Sequence, residues 1–553
     1  MTNHSRTIVL DIETNTKHDT IWCCVTKDIT TGDTKVWTEA KKLSEYLRTD
    51  DLFVGHNIIG FDAPILNQQW NLKIRSNQVR DTLVMSRLLS PNLEGGHSLD
   101  AWGKRLGNHK GNFTNFDSGL SQEMIDYCIQ DVHVTSKLYE HLTKELKDWD
   151  ERCIELEHKV AIIVSRQERH GFKLDFTKAV GLVSTWKTML SSIEEELQVV
   201  FPPIVTERFS EKTGKQLKDK IEVFNPGSRQ QIAERLMSVG WKPTKKTEKG
   251  QVIVDETTLA GVDIPEARKI AEYLLLQKRV AQVGSWLDAM DTDTHRVHGK
   301  VITNGAVTGR MTHHSPNMAQ VPSSSSPWGH ECRECWTVDL DNYLLVGADA
   351  SGLELRMLAH YMRDDDYVRE ICEGDIHTKN QTAAGLHTRA QAKTFIYALL
   401  YGAGPAKIGS IVGGGYTEGQ NLLKSFLDNT PSLKTLRSKV ERLAEKGWLP
   451  ALDGRRLQVR SAHSALNTLL QGAGAIVMKQ ALVILDEKIR KEKIDAHFVA
   501  NVHDEWQIEV RKEDAQKVGS LAVEAIQEAG KVLGLRCPLT GEFRVGESWA
   551  ATH

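Results

Sequence analysis

The chain has 553 residues, 40% of them hydrophobic and 26% charged, and its formal net charge is −3. This length predicts several domains, and the composition is that of a globular protein in water. The sequence has no run of about 18 apolar residues, and its polar start, Met1 to Arg6, has no apolar signal core. We therefore expect no membrane span and a cytoplasmic location, and the eight cysteines fit free thiols in a reducing compartment.

Carboxylates recur at strand and helix spacing in the first 150 residues. Asp11 and Glu13, in V-L-D-I-E-T, are two apart on a predicted strand, so both side chains point to one face. Asp62 follows in N-I-I-G-F-D, and Tyr127 and Asp131 are four apart, one turn of a predicted helix. Each element alone is more often a solvated face. Four converging carboxylates can bind two divalent cations of the Mg²⁺ class and hydrolyse a phosphodiester, with the tyrosine orienting the water.

In this order, the three elements resemble the 3′–5′ proofreading exonucleases of the ribonuclease-H-like fold, tyrosine subtype. The resemblance covers about residues 6–145. It implies an active exonuclease, because every expected carboxylate is present. The implied metal ligands are Asp11, Glu13, Asp62 and Asp131, with Tyr127 as a further catalytic residue.

The middle of the chain is predicted to be helical, with an interruption. Apolar residues three and four apart predict helices over 151–200, F-P-P at 201–203 ends them, and helical periodicity returns at 265–290. Positive charge is concentrated in three runs: Lys215–Lys220, Lys242–Lys249 and Arg455–Arg456. Each run can lie along a phosphate backbone, although a single run is more often a solvated surface.

Two aspartates end apolar stretches in the C-terminal half. Y-L-L-V-G-A-D-A predicts a strand that ends at Asp349. F-V-A-N-V and W-Q-I-E-V predict two further strands, joined by a tight turn that contains His503, Asp504 and Glu505. If these strands are neighbours, Asp349 and Asp504 meet and can hold a pair of hard cations. Aspartates at strand ends mean little alone, since turns favour this residue.

A cationic helix is predicted between these aspartates. Thr388 and Gln391 form a T-x-x-Q capping box at its start, and Gly402 ends it. Four of its residues recur every four positions: Arg389, Lys393, Tyr397 and Tyr401. Arginine and lysine suit phosphate oxygens, and the tyrosines can stack on a base or sugar. The bland alternative is a basic solvent face with two core tyrosines.

The stretches 346–356, 389–402 and 501–506 closely resemble, in order and content, motifs A, B and C of the family A (DNA polymerase I type) DNA polymerases. The resemblance makes Asp349 and Asp504 the ligands of two catalytic metals, with Glu505 as a further catalytic residue. The residues it implies for binding the deoxynucleoside triphosphate (dNTP) are Glu354, His377, Arg389, Lys393, Tyr397 and Tyr401. Those expected to bind DNA are Arg310, Arg455, Asn467, Gln471 and His503. Asn467 and Gln471 are amides one turn apart and can read minor-groove edges without sequence preference.

The resemblance implies an α/β multidomain protein: a ribonuclease-H-like 3′–5′ exonuclease domain followed by a right-hand polymerase with palm, fingers and thumb. We expect the exonuclease domain at 1–150, thumb and connecting helices at 151–300, palm at 301–372 and 449–553, and fingers at 373–448. The implied cofactor is Mg²⁺, two ions in each active site, with Mn²⁺ as an alternative. The implied partners are primer–template DNA and dNTPs.

Within that family, D-I-H-T-K-N-Q, A-K-T-F-I-Y and the terminal W-A-x-x-H are most similar to the replicative polymerases of T-seven-like bacteriophages. This implies replication of a phage genome in a bacterial host. Those enzymes carry a thumb insertion that binds host thioredoxin. Residues 151–300 have no extra segment of that size, so we do not expect thioredoxin as a partner. Candidate further partners are a replicative helicase or primase and a single-strand-binding protein.

Two other functions fit parts of the sequence. A single-subunit RNA polymerase shares the palm aspartates, but Glu354 argues against it, because in the resembling family this glutamate fills the space of a ribose 2′-hydroxyl. The complete exonuclease set argues against it as well. A nuclease or DNA-binding repair protein with an inactive polymerase half is the other alternative, and the complete polymerase motifs argue against that.

Overall fold

The structure is a computed structural model that describes residues 4–247 and 249–553. Met1–Asn3 of the polar start and Glu248 in the second lysine run therefore lie outside the described residues. The N-terminal part alternates short strands and helices, as the sequence predicts. Its elements are β1 (Thr7–Thr14), β2 (Ile21–Asp28), β3 (Thr34–Trp37), α1 (Ala40–Tyr46), β4 (Leu52–Gly55), α2 (Asp62–Gln69), β5 (Val79–Asp81), α3 (Thr82–Leu89), α4 (Leu99–Arg105) and α5 (Gln122–Glu145).

The five N-terminal strands form one mixed sheet in the order β3-β2-β1-β4-β5. The central strand β1 pairs antiparallel with β2 and parallel with β4. Ile8, Leu10 and Ile12 enter one buried cluster, whereas Val9 packs with Cys128 and Val132 of α5 in another. Because both faces of β1 are covered, polar side chains on this strand are held inside the domain.

The next part combines long helices with short strands. Its elements are α6 (Glu151–His170), β6 (Phe172–Leu174), α7 (Phe176–Val200), β7 (Ile204–Phe209), β8 (Gln216–Glu222), α8 (Arg229–Ser238), α9 (Glu256–Ala260), α10 (Pro265–Asp288), β9 (Arg296–Val297), β10 (Lys300–Ile302), β11 (Thr312–His314), α11 (Gly329–Glu334) and β12 (Trp336–Thr337). Helix α7 ends at Val200, directly before F-P-P, and α10 begins at Pro265, as the sequence predicts.

Two long helices of this part share a core with the last strands of the chain. Trp186 of α7, Trp286 of α10 and Trp336 of β12 are fully buried in one cluster. Cys332 and Cys335 are buried there too and are free thiols, so this C-x-x-C pair has a packing role. Beyond α7, the β7–β8 hairpin projects with both strands exposed or half-buried along their whole length.

The C-terminal half holds a second sheet and a cluster of helices. Its elements are β13 (Tyr343–Ala350), α12 (Leu353–Met362), α13 (Asp365–Glu373), α14 (Ile376–Ala384), α15 (Arg389–Leu400), α16 (Pro405–Ser410), α17 (Tyr416–Asp428), α18 (Pro431–Ala444), β14 (Trp448–Pro450), β15 (Arg456–Gln458), α19 (Ala465–Lys491), β16 (Ala496–Val502), β17 (Glu505–Arg511), α20 (Ala515–Val532) and β18 (Gly541–Gly546). The sheet is antiparallel in the order β16-β17-β13-β18.

The longest helix, α19, is the centre of the largest core. In the described part of the chain, one helix, Ala462–Lys491, is long and apolar enough to span a membrane, but 89% of its apolar window is buried within the protein. It packs beside α20 and α6. Helix α6 is shared between the two halves, because its Ala161 belongs to the N-terminal cluster and its Val160 and Val164 belong to the C-terminal one.

Candidate active sites

The first candidate site lies between β1 and α5. Asp11 and Glu13 leave the same face of β1, as their spacing predicts, and the Asp11 carboxylate contacts the Cys128 thiol of α5 at 3.6 Å. Asp62 is the first residue of α2, and its Oδ1 accepts a hydrogen bond of 3.1 Å from the backbone N–H of Ile12. Two elements distant in sequence, β1 and α2, thus bring their carboxylates to one place beside a thiol of α5.

Helix α5 supplies the remaining predicted residues, Tyr127 and Asp131, one turn apart. Asp131 forms an ion pair with Lys110 at 2.6 Å, and the Lys110 ammonium lies 4.9 Å from the centre of the Tyr127 ring. Lys110 was not predicted from the sequence. It lies in the loop before α5, in a segment without periodicity, so no local signal marks it.

Burial and mutual repulsion govern the charges of this centre. Burial, with repulsion from Asp131, raises the pKa of Asp11 to about 7. Burial, with repulsion from Asp11 and Asp131, raises the pKa of Glu13 to about 9. Burial also raises the pKa of Asp62 and of Asp131. Four carboxyl groups this close are stable as anions only when cations neutralise them.

The donor set fits divalent cations. The ligand atoms of Asp11, Glu13 and Cys128 all lie within 4.8 Å of one another. Asp131 is 3% exposed, and within residues 4–247 and 249–553 its Oδ1 has no hydrogen-bond partner. A buried carboxylate oxygen without a partner is costly unless an ion or water satisfies it. The carboxylates and the unpaired oxygen together match a two-cation centre.

The second candidate site lies at the end of the C-terminal sheet. Strands β16 and β17 form a hairpin whose turn is His503 and Asp504, with φ of 58° at His503. Asp349 on β13 is directly opposite Glu505 on β17, and the Ala350 N–H donates to the Asp504 carbonyl at 3.1 Å. The neighbouring strands predicted from the sequence therefore bring Asp349 and Asp504 together.

Burial and neighbouring carboxylates disfavour the ionised forms of both aspartates. Burial, with repulsion from Glu354 and Asp349, raises the pKa of Asp504 to about 6. Burial, with repulsion from Glu542 and Glu505, raises the pKa of Asp349, whose side chain is open to solvent. Accessible, mutually repelling carboxylates at one sheet edge suit two hard cations, so the residues present fit the implied metals.

Glu505 lies in a different environment. It is 7% exposed and accepts hydrogen bonds from Trp549 Nε1 at 2.5 Å and Gln507 Nε2 at 2.6 Å. Nδ1 of His553 lies 2.8 Å from Glu505 Oε2. Burial acts to raise the pKa of Glu505, but the contacts with His553 and Gln507 and the charge of Arg333 together outweigh it, and the pKa is lowered. Its carboxylate oxygens are thus engaged by the C-terminal tail, which no pattern in the sequence predicts.

Helix α15 has the predicted caps and stripe. Thr388 Oγ1 accepts from the Gln391 N–H at 3.1 Å, the Thr388 N–H donates to Gln391 Oε1 at 3.2 Å, and Gly402 follows the helix with φ of 75°. Arg389 is exposed and pairs with Asp375 through Nε at 2.6 Å. Lys393 is also exposed.

His377 on α14 faces the same helix. Its ring centre lies 6.2 Å from that of Tyr397. His377 Nδ1 is buried and has no hydrogen-bond partner among the residues that the structure describes. Burial, with the nearby charges of Arg389 and Lys393, lowers the pKa of His377. One surface therefore carries four of the residues predicted to bind the dNTP: His377, Arg389, Lys393 and Tyr397.

Glu354 connects the helix to the aspartates. The Tyr401 hydroxyl donates to Glu354 Oε1 at 3.0 Å, and Arg310 Nη2 lies 3.5 Å from the same oxygen. Burial and the charge of Glu354 raise the pKa of Tyr401 to about 12. Glu354 also repels Asp504. Its carboxylate therefore lies between the two aspartates and the end of α15.

Three further residues predicted to bind DNA lie near this centre. Asn467 and Gln471 are one turn apart on α19, and Gln471 Nε2 donates to Asn467 Oδ1 at 2.9 Å. Both are half-buried and keep surface for a ligand. Burial, with the charge of Arg310, lowers the pKa of His503, so this ring is predominantly neutral at pH 7. The lysines of the runs 215–220 and 242–249 are exposed.

The expectation that Arg455 binds DNA is wrong. Arg455 is 2% exposed, and its guanidinium pairs with Asp453 at 2.7 Å and with Glu157 of α6 at 2.5 Å. Lys479 of α19 shares the same Glu157 oxygen at 2.5 Å. A guanidinium closed in by two carboxylates cannot reach a phosphate. Its neighbour Arg456 is half-buried over the Trp448 ring at 4.8 Å, so this basic pair has a structural role.

Comparison with known proteins identifies the family. The model for DNA polymerase family A matches residues 205–551, and that for a 3′–5′ exonuclease matches residues 3–147. The DNA-directed DNA polymerase of Escherichia phage T7 is 35% identical over an alignment that covers 91% of this chain and 92% of that protein. That of Enterobacteria phage T3 is 34% identical, covering 94% and 95%.

Solved structures agree on the fold. The POL domain of Pol1 from M. smegmatis, in complex with DNA primer-template and dNTP, superposes with a TM-score of 0.80 at 19% identity, covering all of this chain and 96% of that one. This likeness is evidence for the fold alone, and it confirms the predicted architecture together with the two family models. The chain is therefore a member of DNA polymerase family A, a template-directed DNA polymerase with an N-terminal 3′–5′ exonuclease domain.

Proposed function

We propose that DNA synthesis takes place at Asp349 and Asp504 and proofreading at the N-terminal carboxylates. The observation that carries the proposal is the junction at the sheet edge, where the Ala350 N–H bonds to the Asp504 carbonyl and Glu354 joins Tyr401. This junction places the cationic helix α15 beside two carboxylates. A triphosphate bound along α15 therefore has its reactive phosphate near the aspartates.

The family uses divalent cations, and we propose Mg²⁺ at both sites, with Mn²⁺ as a substitute. Oxygen-only donors at Asp349 and Asp504 favour this class of ion. When bound, such ions lower the pKa of an attacking hydroxyl or water and neutralise the leaving oxygen. In the exonuclease site, Asp11, Glu13, Asp62 and Asp131 would hold them.

The triphosphate would bind to Arg389, Lys393 and His377. Arg389 is held by Asp375 in an exposed, solvent-screened ion pair, so phosphate oxygens can readily replace that carboxylate. His377 supports a polar ligand beside these two cations, because its Nδ1 has no hydrogen-bond partner in the described part of the chain. Tyr397, between them and Glu354, would pack against the sugar or base.

Glu354 would exclude a ribose. It is held between Tyr401 and Arg310, so its carboxylate is fixed in position at the entrance to the metal centre. A rigid carboxylate at that point opposes a 2′-hydroxyl sterically and prevents its solvation. Glu505, anchored by Trp549 and His553, would support the position of Asp349 on the adjacent strand.

DNA would lie across Arg310, Asn467, Gln471 and His503, with the lysine runs of the thumb along its backbone. At the exonuclease site, Tyr127 would orient the water, with Lys110 beside it. The relative of known structure carries DNA primer-template and dNTP, which supports both ligands for this chain. We retain the proposed domain bounds 1–150, 151–300, 301–372, 373–448 and 449–553; the exonuclease match at 3–147 supports the first.

The phage relatives support a role in phage genome replication. A helicase or primase and a single-strand-binding protein remain proposed partners. The alignment with the T7 protein spans 653 positions, so at least 100 of them have no residue of this 553-residue chain. This shortfall supports the proposal that the enzyme works without thioredoxin.

The test is a double dissociation between the two sites. Asp504→Ala is expected to abolish primer extension and to leave 3′–5′ digestion of single-stranded DNA intact. Asp11→Ala combined with Glu13→Ala is expected to do the reverse, because the two centres lie in separate domains. Each mutant is thus the folding control of the other. Loss of both activities in either mutant would contradict the assignment.

A further inference from the structure

The exonuclease centre contains sulfur as well as oxygen. Cys128, on α5, follows Tyr127, and its Sγ lies 3.6 Å from Asp11 Oδ2 and 3.5 Å from the Asp11 backbone oxygen. The side-chain ligand atoms of Asp11, Glu13 and Cys128 all lie within 4.8 Å of one another. Cys128 is fully buried, so its thiol is shielded from solvent and directed into the domain. Nothing in the proposed exonuclease reaction uses this thiol.

A second thiol adjoins the first. Cys23 on β2 is directly opposite Glu13 on β1, is fully buried, and is in hydrogen-bond contact with the Cys128 thiol. Cys23 thus borders Cys128, while the mutually close ligand atoms are those of Asp11, Glu13 and Cys128. The strand register places Cys23, and the helix packing places Cys128.

An independent observation indicates that this centre takes an ion. Asp131 is 3% exposed, and in the described part of the chain its Oδ1 has no hydrogen-bond partner. Its charge acts on both Asp11 and Glu13, so it borders the same space. A buried carboxylate oxygen without a hydrogen-bond donor is typical of a group whose partner is a cation.

The mixed donor set distinguishes between classes of cation. Mg²⁺ binds oxygen and avoids sulfur, whereas Zn²⁺ and its heavier relatives bind thiolate and carboxylate together. Zn–S bonds of about 2.3 Å and Zn–O bonds of about 2.0–2.2 Å put the ligand atoms of a tetrahedral site roughly 3.3–3.8 Å apart. The 3.6 Å between Cys128 Sγ and Asp11 Oδ2 already matches this spacing.

We propose that Cys128 is a ligand for a thiophilic divalent cation of the Zn²⁺ class, held in the exonuclease centre together with Asp11 and Glu13. The inference rests on the proposed role of these carboxylates as the exonuclease metal site. On binding, the Cys128 thiol gives its proton to solvent and its sulfur electron pair to the cation. Such a cation would compete with Mg²⁺ for Asp11 and Glu13. Among the residues that the structure describes, Asp349 and Asp504 belong to no ligand group that contains a thiol.

Cadmium is the probe, because a Cd²⁺–thiolate bond has an ultraviolet charge-transfer band that a Cd²⁺–carboxylate bond lacks. The full-length, metal-free protein is titrated with CdCl₂. We expect a saturable band that ZnCl₂ displaces and MgCl₂ does not. In Cys128→Ser we expect the band to be lost, or the Kd for Cd²⁺ to rise about ten-fold or more. Cys372→Ser, which changes the exposed thiol on α13, is the matched control and keeps the band.

Thermal unfolding distinguishes the loss of cation binding from a folding defect. Cd²⁺ is expected to raise the melting temperature of the wild type and of Cys372→Ser but not that of Cys128→Ser or of Cys128→Ala, because only an intact site binds the native state. An equal band and equal Kd in wild type and Cys128→Ser would overturn the proposal. Mg²⁺-dependent digestion of single-stranded DNA by the wild type is measured separately. Digestion without a Cys128-dependent band overturns this inference alone, and a band without digestion overturns the exonuclease assignment alone.

Discussion

Glu354 shows how single residues acquire a role from their neighbours. Its carboxylate is bonded by Tyr401 at 3.0 Å, lies 3.5 Å from Arg310, and raises the pKa of Asp504. The sequence predicted the roles of these residues by resemblance only. Their contact joins residues 310, 354, 401 and 504, and no spacing in the sequence relates such distant positions. The contact therefore had to come from the folded chain.

We expect Glu354→Ala to raise incorporation of ribonucleotides relative to deoxynucleotides by about ten-fold or more, because the fixed carboxylate no longer opposes a 2′-hydroxyl. The measurement is kcat/KM for single-nucleotide extension with each sugar. Glu373→Ala, which removes an exposed carboxylate of α13, is the control and keeps the wild-type ratio. An unchanged ratio in Glu354→Ala would remove this residue from sugar selection.

The exonuclease carboxylates give a pH-dependent stability. The pKa of Glu13 is raised to about 9, above its value in the unfolded chain, so its contribution is fully present below about pH 4.5 and is lost as pH rises toward 9. We expect Glu13→Gln to melt at a higher temperature than the wild type at pH 8 in EDTA, by about 2–4 °C for each kcal/mol gained. The difference should shrink at pH 5 and on addition of Mg²⁺. Equal melting temperatures at pH 8 in EDTA would count against a raised pKa of Glu13 in the folded protein.

At the scale of elements, local sequence rules worked where an element is determined by its own residues. The capping box at Thr388, the end of α7 before F-P-P and the start of α10 at Pro265 all follow from backbone chemistry. The short strands β6, β9 and β12 were not predicted. They exist because they pair with one another across more than 100 residues, and isolated segments of two or three residues have no periodicity to detect.

The exposed lysines of the thumb are expected to set the salt dependence of DNA binding. Changing Lys245, Lys246 and Lys249 to Ala should reduce the slope of log K against log salt by about 0.9 for each phosphate that the protein no longer neutralises. The measurement is primer–template affinity over a salt series.

Lys491, Lys493 and Lys531 provide a matched triple control. All three are exposed, and the first two precede β16, whose seven residues separate them from the Asp504 turn by roughly 20 Å. The control triple should keep the wild-type slope. If the two triples give the same slope, the thumb run does not contact the backbone.

At the scale of the whole molecule, α6 joins the exonuclease and polymerase halves. Its Glu157 is fully buried between Arg455 and Lys479, with 2.5 Å to each. Arg455, which the sequence suggests for DNA, is therefore part of an internal ion network. Removing one member of such a buried network costs much stability, because the charge left without its partner cannot be solvated.

We expect Arg455→Ala to destabilise the protein by about 3–5 kcal/mol, since Asp453 and Glu157 lose their counter-charge. Urea unfolding measures this change. Arg456→Ala, next in sequence but half-buried over Trp448, should cost less and is the control. The salt slope of DNA binding should be the same in Arg455→Ala as in the wild type. A stable Arg455→Ala protein with a reduced slope would restore Arg455 to the DNA surface.

The sequence alone determined the family, the order of the exonuclease and polymerase halves and the identity of most proposed site residues. It could do so because strand alternation, helix spacing, capping and turn chemistry act between residues close in the chain, and because the family signatures are themselves local stretches. Only the tertiary structure decided four other features: the pairing of Asp349 with Glu505, the contact of Glu354 with Tyr401, the place of Lys110 beside Asp131 and the burial of Arg455. The reason is physical: burial and charge pairing depend on which distant segments share a core.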